Sequence, residues 1–172
     1  MKYYAGIGSR DCPKEIASLM VKVAAWLSRR GYILRSGKAP GSDEAFEKGC
    51  DMVKGEKEIF LPWTGFNNSE SNLVVKDKRA FDIAKKYHPY YDRLGQGAKK
   101  LQARNSHQIL GKDLETPCDF VICYTEGGKE IGGTAQALRI SKDYNIPVFN
   151  FGLYNNIDEC RENFMKFIED FI

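Results

Sequence analysis

Three stretches of this 172-residue chain combine glycine, hydroxyl and charged residues in an order suited to holding an anion. They are Gly6-Ile7-Gly8-Ser9-Arg10, then Ser36-Gly37-Lys38-Ala39-Pro40-Gly41-Ser42-Asp43, then Thr125-Glu126-Gly127-Gly128 running on to Gly132-Gly133-Thr134. Each follows an apolar run and precedes a segment with helical periodicity. Glycine lets the backbone approach a ligand closely. The unpaired N–H groups of a following helix start face an anion, with the helix dipole behind them. The hydroxyls of Ser9, Ser36 and Thr134 add donors at the same edge, and Arg10 offers a charge-assisted phosphate contact. Candidate ligand-binding residues are therefore Gly8, Ser9, Arg10, Ser36, Gly37, Lys38, Gly41, Asp43, Thr125, Gly132, Gly133 and Thr134. One glycine turn after a strand is often only a tight connection, whereas three on one edge point to a ligand. Asp43 reads most simply as a helix N-cap, with a ligand role as its alternative.

The elements that position these loops alternate strand and helix. Residues 2–7 read as a strand. A helix follows from Pro13 to about Arg30, with Ile16, Leu19, Met20, Val23, Ala24 and Leu27 on one face and Gly31 as its stop. Residues 32–36 form the second strand, and Ser42 or Asp43 opens a helix carrying Ala45, Phe46, Cys50 and Val53. Residues 58–61 form the third strand, ended by Pro62. The polar stretch 63–73 reads as a mobile loop, in which Trp63 and Phe66 are either core edges or a stacking lid. Helices are expected near 75–87 and 97–111. Residues 119–124 are apolar on both faces, as a central parallel strand is. A helix over about 134–144, a strand over 147–151 and a terminal helix from about 157 complete the pattern. It predicts one α/β domain over residues 1–172: a Rossmann-like three-layer sandwich with a mostly parallel five-stranded sheet and helices on both faces. In such sheets ligands lie beyond the carboxyl ends of the strands, where strand order reverses.

Composition narrows the function. The 26 basic and 23 acidic residues are too evenly balanced to imply nucleic-acid binding by charge alone. A local basic patch around Lys85, Lys86, Lys99, Lys100 and Arg104 remains. No run of 18 apolar residues exists, so no membrane partner is expected, and the N-terminus lacks the apolar stretch of a signal peptide. The five cysteines are scattered and include no CxxC pair, which argues against a disulfide framework or a zinc site and for the cytoplasm. Arg35 reads as solvated. His88 and His107 have no metal-ligand spacing and read as surface residues, and no nucleophilic triad can be assembled. No metal and no cofactor are expected.

The strings AGIGSRDCP, GYILRSGKAPGSDEAFEKGC and CDFVICYTEGGKEIGGTAQALRIS resemble the SLOG superfamily over most of residues 1–150. That group includes the DNA-processing protein DprA, the LOG phosphoribohydrolases that activate cytokinins, and related nucleotide-sensing domains. The most specific pieces are the SGxAxGxD-like loop from Ser36 to Asp43 and the Gly132–Thr134 turn. The resemblance implies a nucleotide-binding Rossmann-type domain that self-associates as a dimer or larger. Small proteins of this appearance occur in bacteriophages, which would place the chain in the host cytoplasm.

LOG enzymes carry an arginine on the helix before the central strand, which maps to Arg104, and a PGGxGTxEE loop, which maps approximately onto Gly128 to Ala137 with an insertion. The family's glutamates would fall at Gln136 and Ala137, and neither is acidic. A glutamine cannot serve as a general base. Glu126 and Glu130 lie nearby as weak substitutes. Three readings stay open. The chain binds a nucleotide or nucleotide-derived molecule, of ADP-ribose or cyclic-nucleotide type, as a sensor or sequestering protein, with Gln136 and Arg104 among its contacts. Alternatively it is a LOG-like N-glycosidase acting on nucleoside phosphates through Arg104 and Glu126 or Glu130. Alternatively it is a DprA-like accessory that binds single-stranded DNA through the lysines and tyrosines between 76 and 104.

Overall fold

The short apolar run Lys2–Gly8 forms β1, and every other strand lies parallel to it or to a neighbour of it. In the computed structural model, which describes residues 1–172, the remaining strands are β2 (Tyr32–Ser36), β3 (Lys57–Leu61), β4 (Leu73–Val74), β5 (Phe120–Tyr124) and β6 (Val148–Asn150). The helices are α1 (Lys14–Arg29), α2 (Ser42–Met52), α3 (Lys78–Tyr87), α4 (Gln96–Leu110), α5 (Thr134–Asp143) and α6 (Ile157–Ile168). The sheet order is β4-β3-β2-β1-β5-β6, all parallel. Six strands are present rather than the five expected. The extra one, β4, has two residues in a polar context, too few to show a period, and pairs Phe60 with Leu73 and Leu61 with Val74.

The alternation of side chains along the strands splits the interior into two cores. Tyr4, Leu34, Phe120, Ile122 and Phe149 point to the face covered by α1, α2 and α6. Ala5, Ile7, Val121 and Cys123 point to the face covered by α3, α4 and α5. The three-layer α/β sandwich is thus present as expected. β5 is buried along its whole length, as its uninterrupted apolar run requires.

The stretch read as a mobile loop is tied down at two points. It contains a short 3₁₀ turn (Phe66–Asn68) whose Phe66 is buried against Trp63, and Ser71 Oγ donates to the Ile59 carbonyl. Two further expectations fail for the same reason, that a polar group can be buried when its bonds are satisfied. Arg35 is buried, donating from Nε to Glu58 at 3.0 Å and from Nη1 to the Thr116 carbonyl at 2.6 Å, with its guanidinium over the Tyr3 ring. His107 is buried too, stacked on Phe60, with Nδ1 2.9 Å from the Gly111 carbonyl oxygen.

Strand order runs β1-β2-β3-β4 one way and β1-β5-β6 the other. The reversal falls between β1 and β5, which end in register at Gly8 and Tyr124.

Candidate functional site

A cavity of about 570 Å³ opens where β1 and β5 end. This is the position that the topology of an open parallel sheet reserves for ligands. The loop after β1 contributes Gly8, Ser9, Arg10 and Asp11, and the end of β5 contributes Tyr124, Thr125 and Glu126. The start of α5 supplies Gly132, Gly133 and Thr134, the β2–α2 connection supplies Ala39, and the first turn of α2 supplies Asp43. One wall is a stripe of α4: Leu101, Gln102, Arg104, Asn105 and Gln108.

Arg104 is the anchor of that stripe and is only 6 % exposed. Its Nε donates to Asn105 Oδ1 at 2.9 Å, and its Nη1 donates to the Gly37 carbonyl at 2.5 Å and more weakly to that of Phe60 at 3.4 Å. Nε and Nη1 are spent in this way, while Nη2 is not. The close approach to the β2–α2 loop is why residue 37 is glycine: a Cβ there would stand 2.5 Å from Arg104 Nη1 and 2.2 Å from Gln108 Nε2. Asn105 extends the chain of contacts, since its Nδ2 donates to the Gly133 carbonyl at 3.1 Å. The ends of β2 and β3 are thereby connected through α4 to the N-terminus of α5.

Asp43 faces Arg104 from the other side of the loop and is 4 % exposed. It does not cap α2, whose N-cap is Gly41 without a side-chain bond. Its carboxylate accepts instead from the Ala39 amide at 3.3 Å and so folds the loop back on itself. Burial pushes its pKa up to about 6, against the opposing pull of Arg104 and of the Ala39, Gly37 and Gly8 amides. Burial also brings Arg104 down to about 10, despite the support of Asp43. Each group favours the charged form of the other, and in both the loss of solvation outweighs that support.

The anion-binding edge has firm scaffolding. Ser42 donates from both its amide and its hydroxyl to the Ser9 carbonyl, at 3.2 and 2.8 Å, clamping the β1–α1 loop to the start of α2. Gly41 (φ 80) makes that approach feasible, since a Cβ would fall 2.2 Å from the Arg10 carbonyl oxygen. Thr125 is held by Asn150, which accepts from its amide at 3.1 Å and donates to its hydroxyl at 2.7 Å. The N-cap of α5, Gly133, provides no side-chain cap.

Among the sequence candidates, Gly8, Ser9, Arg10, Asp43, Arg104, Thr125, Glu126, Gly132, Gly133 and Thr134 come together on the cavity. Others do not line it. Ser36 Oγ donates to the Gly6 carbonyl at 2.6 Å within the sheet. Gly37 and Gly41 act from behind as spacers. Lys38 adopts a left-handed conformation (φ 62) and pairs with Glu47 at 3.6 Å, on the far side of the loop. Gln136 is buried between α3 and α5, donating to the Ala84 carbonyl and accepting from Arg139, because the helix turns it away from the Thr134 edge. Glu130 does not line the cavity. Sequence reasoning missed Asn105, Gln108, Gln102 and Asp11. The available signal was the unbroken polar run Arg104-Asn105-Ser106-His107-Gln108 in a helix directly before the central strand, every member of which is buried. Nowhere do three or more His, Cys, Asp or Glu side chains gather as a metal site would need.

No protein-family model matches this sequence, and no curated protein matches it. Solved structures do resemble the fold. DNA processing protein A from Helicobacter pylori, described for its single-stranded DNA binding mode, superposes with a TM-score of 0.59 at 18 % identity over 87 % of this chain. DNA processing protein A from Streptococcus pneumoniae gives 0.54 at 20 % identity over 96 %. The molybdenum cofactor carrier protein of Chlamydomonas reinhardtii gives 0.54 at 14 % identity, covering 97 % of this chain and 85 % of its own. The chain spans 64 % and 56 % of the two DNA-processing proteins it matches. These likenesses establish a shared Rossmann-like architecture.

Proposed function

We propose that the chain is a SLOG-type binding domain for a nucleotide or nucleotide-derived small molecule, which it senses or sequesters. The observation that carries this reading is a nearly fully buried guanidinium, Arg104, on the wall of a cavity at the strand-order reversal. The volume lies within the range of small-molecule sites, roughly 300–1,000 Å³. Phosphate is met by Arg104, by Arg10 and by the uncapped start of α5. Leu101, Ile131 and Tyr124 supply apolar surface for a base. A neighbour that carries a small cofactor supports a discrete ligand. Native mass spectrometry of protein purified from cells, followed by calorimetry with AMP, ADP-ribose and cyclic AMP, tests the reading. A stoichiometric ligand recovered unchanged supports it; no binding of any phosphorylated probe at millimolar concentration sinks it.

One observation favours a second reading, N-glycosidic cleavage. Glu126 and Asp43 both line the cavity, and burial raises the Asp43 pKa to about 6, closer to neutrality, where a carboxyl serves better to give or take a proton. Release of free base from nucleoside monophosphates, abolished in Asp43→Asn or Glu126→Gln, would establish it.

The DNA reading takes support from the Helicobacter neighbour, which binds single-stranded DNA. Against it, the cavity carries two arginines beside three carboxylates, Asp11, Asp43 and Glu126. The tyrosines beyond it are also engaged: Lys86 sits over Tyr87, Arg93 over Tyr90 and Lys99 over Tyr91. Single-strand grooves need cationic tracks and free stacking faces. Mobility-shift binding that vanishes at about 150 mM salt would mark it as nonspecific.

A further inference from the structure

A second cavity, of about 270 Å³, adjoins the first at the end of β5, with Tyr124 lining both. It is a cleft between the starts of α1 and α6, and Ile16, Ile157 and Tyr154 supply its apolar surface. All three are half-buried and pack on the edge of the core beneath. The Tyr154 ring is held in place by stacking on Phe149, with centroids 5.5 Å apart. The cleft lies just under the roughly 300–1,000 Å³ of free-standing small-molecule sites, so it suits one ring of a larger ligand.

The two cavities differ in charge. The first holds Arg10 and Arg104 and reaches the uncapped start of α5. No lysine or arginine lines the second, and its one charged residue is Glu15. Amides at the start of α6 are already met by side chains: Asn156 Oδ1 accepts from the Glu159 amide at 2.9 Å, and Glu159 Oε2 accepts from the Asn155 amide at 3.1 Å. Phosphate is therefore disfavoured here, whereas an uncharged ring with N–H donors finds apolar surface and a carboxylate acceptor.

We propose that this cleft is a second subsite that takes an uncharged heteroaromatic ring, so that the ligand is a dinucleotide, two bases joined through phosphate. The proposal rests on the nucleotide reading given above and adds the second half of the ligand. The phosphates lie in the first cavity, and one base lies with them against Leu101 and Ile131. The other base crosses Tyr124, packs against Tyr154 and Ile157, and donates an N–H to Glu15.

Calorimetry on the full chain tests this by comparing diadenosine diphosphate with ADP-ribose, which has the same pyrophosphate and both sugars but lacks the second base. The wild type binds the dinucleotide about tenfold tighter, within the range for one base packed on an aromatic side chain. Ile157→Trp, which fills the cleft, brings the ratio to about one by weakening the dinucleotide alone. Glu15→Ala, at an exposed position on α1, lowers the ratio about threefold, the worth of one net hydrogen bond. Equal affinity for the two ligands in the wild type overturns the proposal. So does a preference that survives either variant in full, or an equal loss of both ligands in Ile157→Trp. Failure of diadenosine diphosphate, ADP-ribose and ribose 5-phosphate to bind overturns the nucleotide reading and this inference with it. Binding of ADP-ribose with no gain from the second base overturns this inference alone.

Discussion

Arg104 Nη1 lies 2.5 Å from the carbonyl oxygen of Gly37, a contact across 67 residues of sequence that fastens a helix on one face of the sheet to the loop leaving β2. The planar fork of the guanidinium donates to this loop and to Asn105, and the residue lines the cavity. Arg104→Gln should weaken ribose 5-phosphate binding by about 10- to 100-fold, the range for a hydrogen bond to a charged group. Arg104→Lys should fall between, because it keeps the charge and loses the fork. Equal binding by wild type and Arg104→Gln in a titration would remove Arg104 from the site.

Asp43 links stability to pH with a definite sign. Its pKa is raised from 3.8 to about 6 on folding, so between those values the folded state holds a proton that the unfolded state has released. Stability therefore falls as pH rises through this window, and the penalty is complete above it. At about 1.36 kcal/mol per pKa unit the contribution reaches at most about 3 kcal/mol. Asp43→Asn removes this slope. Urea midpoints of the two proteins measured from about pH 4 to about pH 7 should diverge in favour of the variant as pH rises. Parallel curves would show that Asp43 titrates normally.

Two glycines separate crowding from backbone conformation. Gly37→Ala thrusts a methyl against Arg104 and Gln108, and it should cost about 1–3 kcal/mol of stability and disturb ligand binding. Gly132→Ala meets no atom within 4 Å but sits at φ 66. It should cost about 1–2 kcal/mol through backbone conformation alone. Thermal melts with and without ribose 5-phosphate distinguish them: the ligand-induced shift should shrink in the first.

Gln136→Glu tests whether the residue expected to be acidic by resemblance was ever near the chemistry. The side chain donates to the Ala84 carbonyl at 3.1 Å, which a carboxylate cannot do. The variant should lose about 1–3 kcal/mol of stability and gain no base-releasing activity. Free base detected by chromatography after incubation with nucleoside monophosphates would contradict this placement.

The strand–helix alternation and the three glycine loops were legible because glycine, hydroxyl residues and helix starts mark them locally. β4 was not, since Leu73–Val74 is held by pairing with β3 rather than by any pattern of its own. On α4 only Arg104 was legible. Amphipathic reasoning assigns polar residues to solvent, and Asn105 and His107 are instead buried against a distant carbonyl and an aromatic ring that no local pattern reveals. Ser36 and Gln136 have the right chemistry at the right edge of the fold, yet their side chains are spent on Gly6 and Ala84. Residue type was readable at these positions and side-chain direction was not.

The two borders of the sheet set a rule for assembly. One ends in β4, two residues long, and the other in β6, three residues long. An incoming strand would gain only a few backbone pairs at either border, and truncated borders are a known safeguard against strand addition. Borders this short disfavour growth of the sheet by addition of a strand from a second copy of the chain.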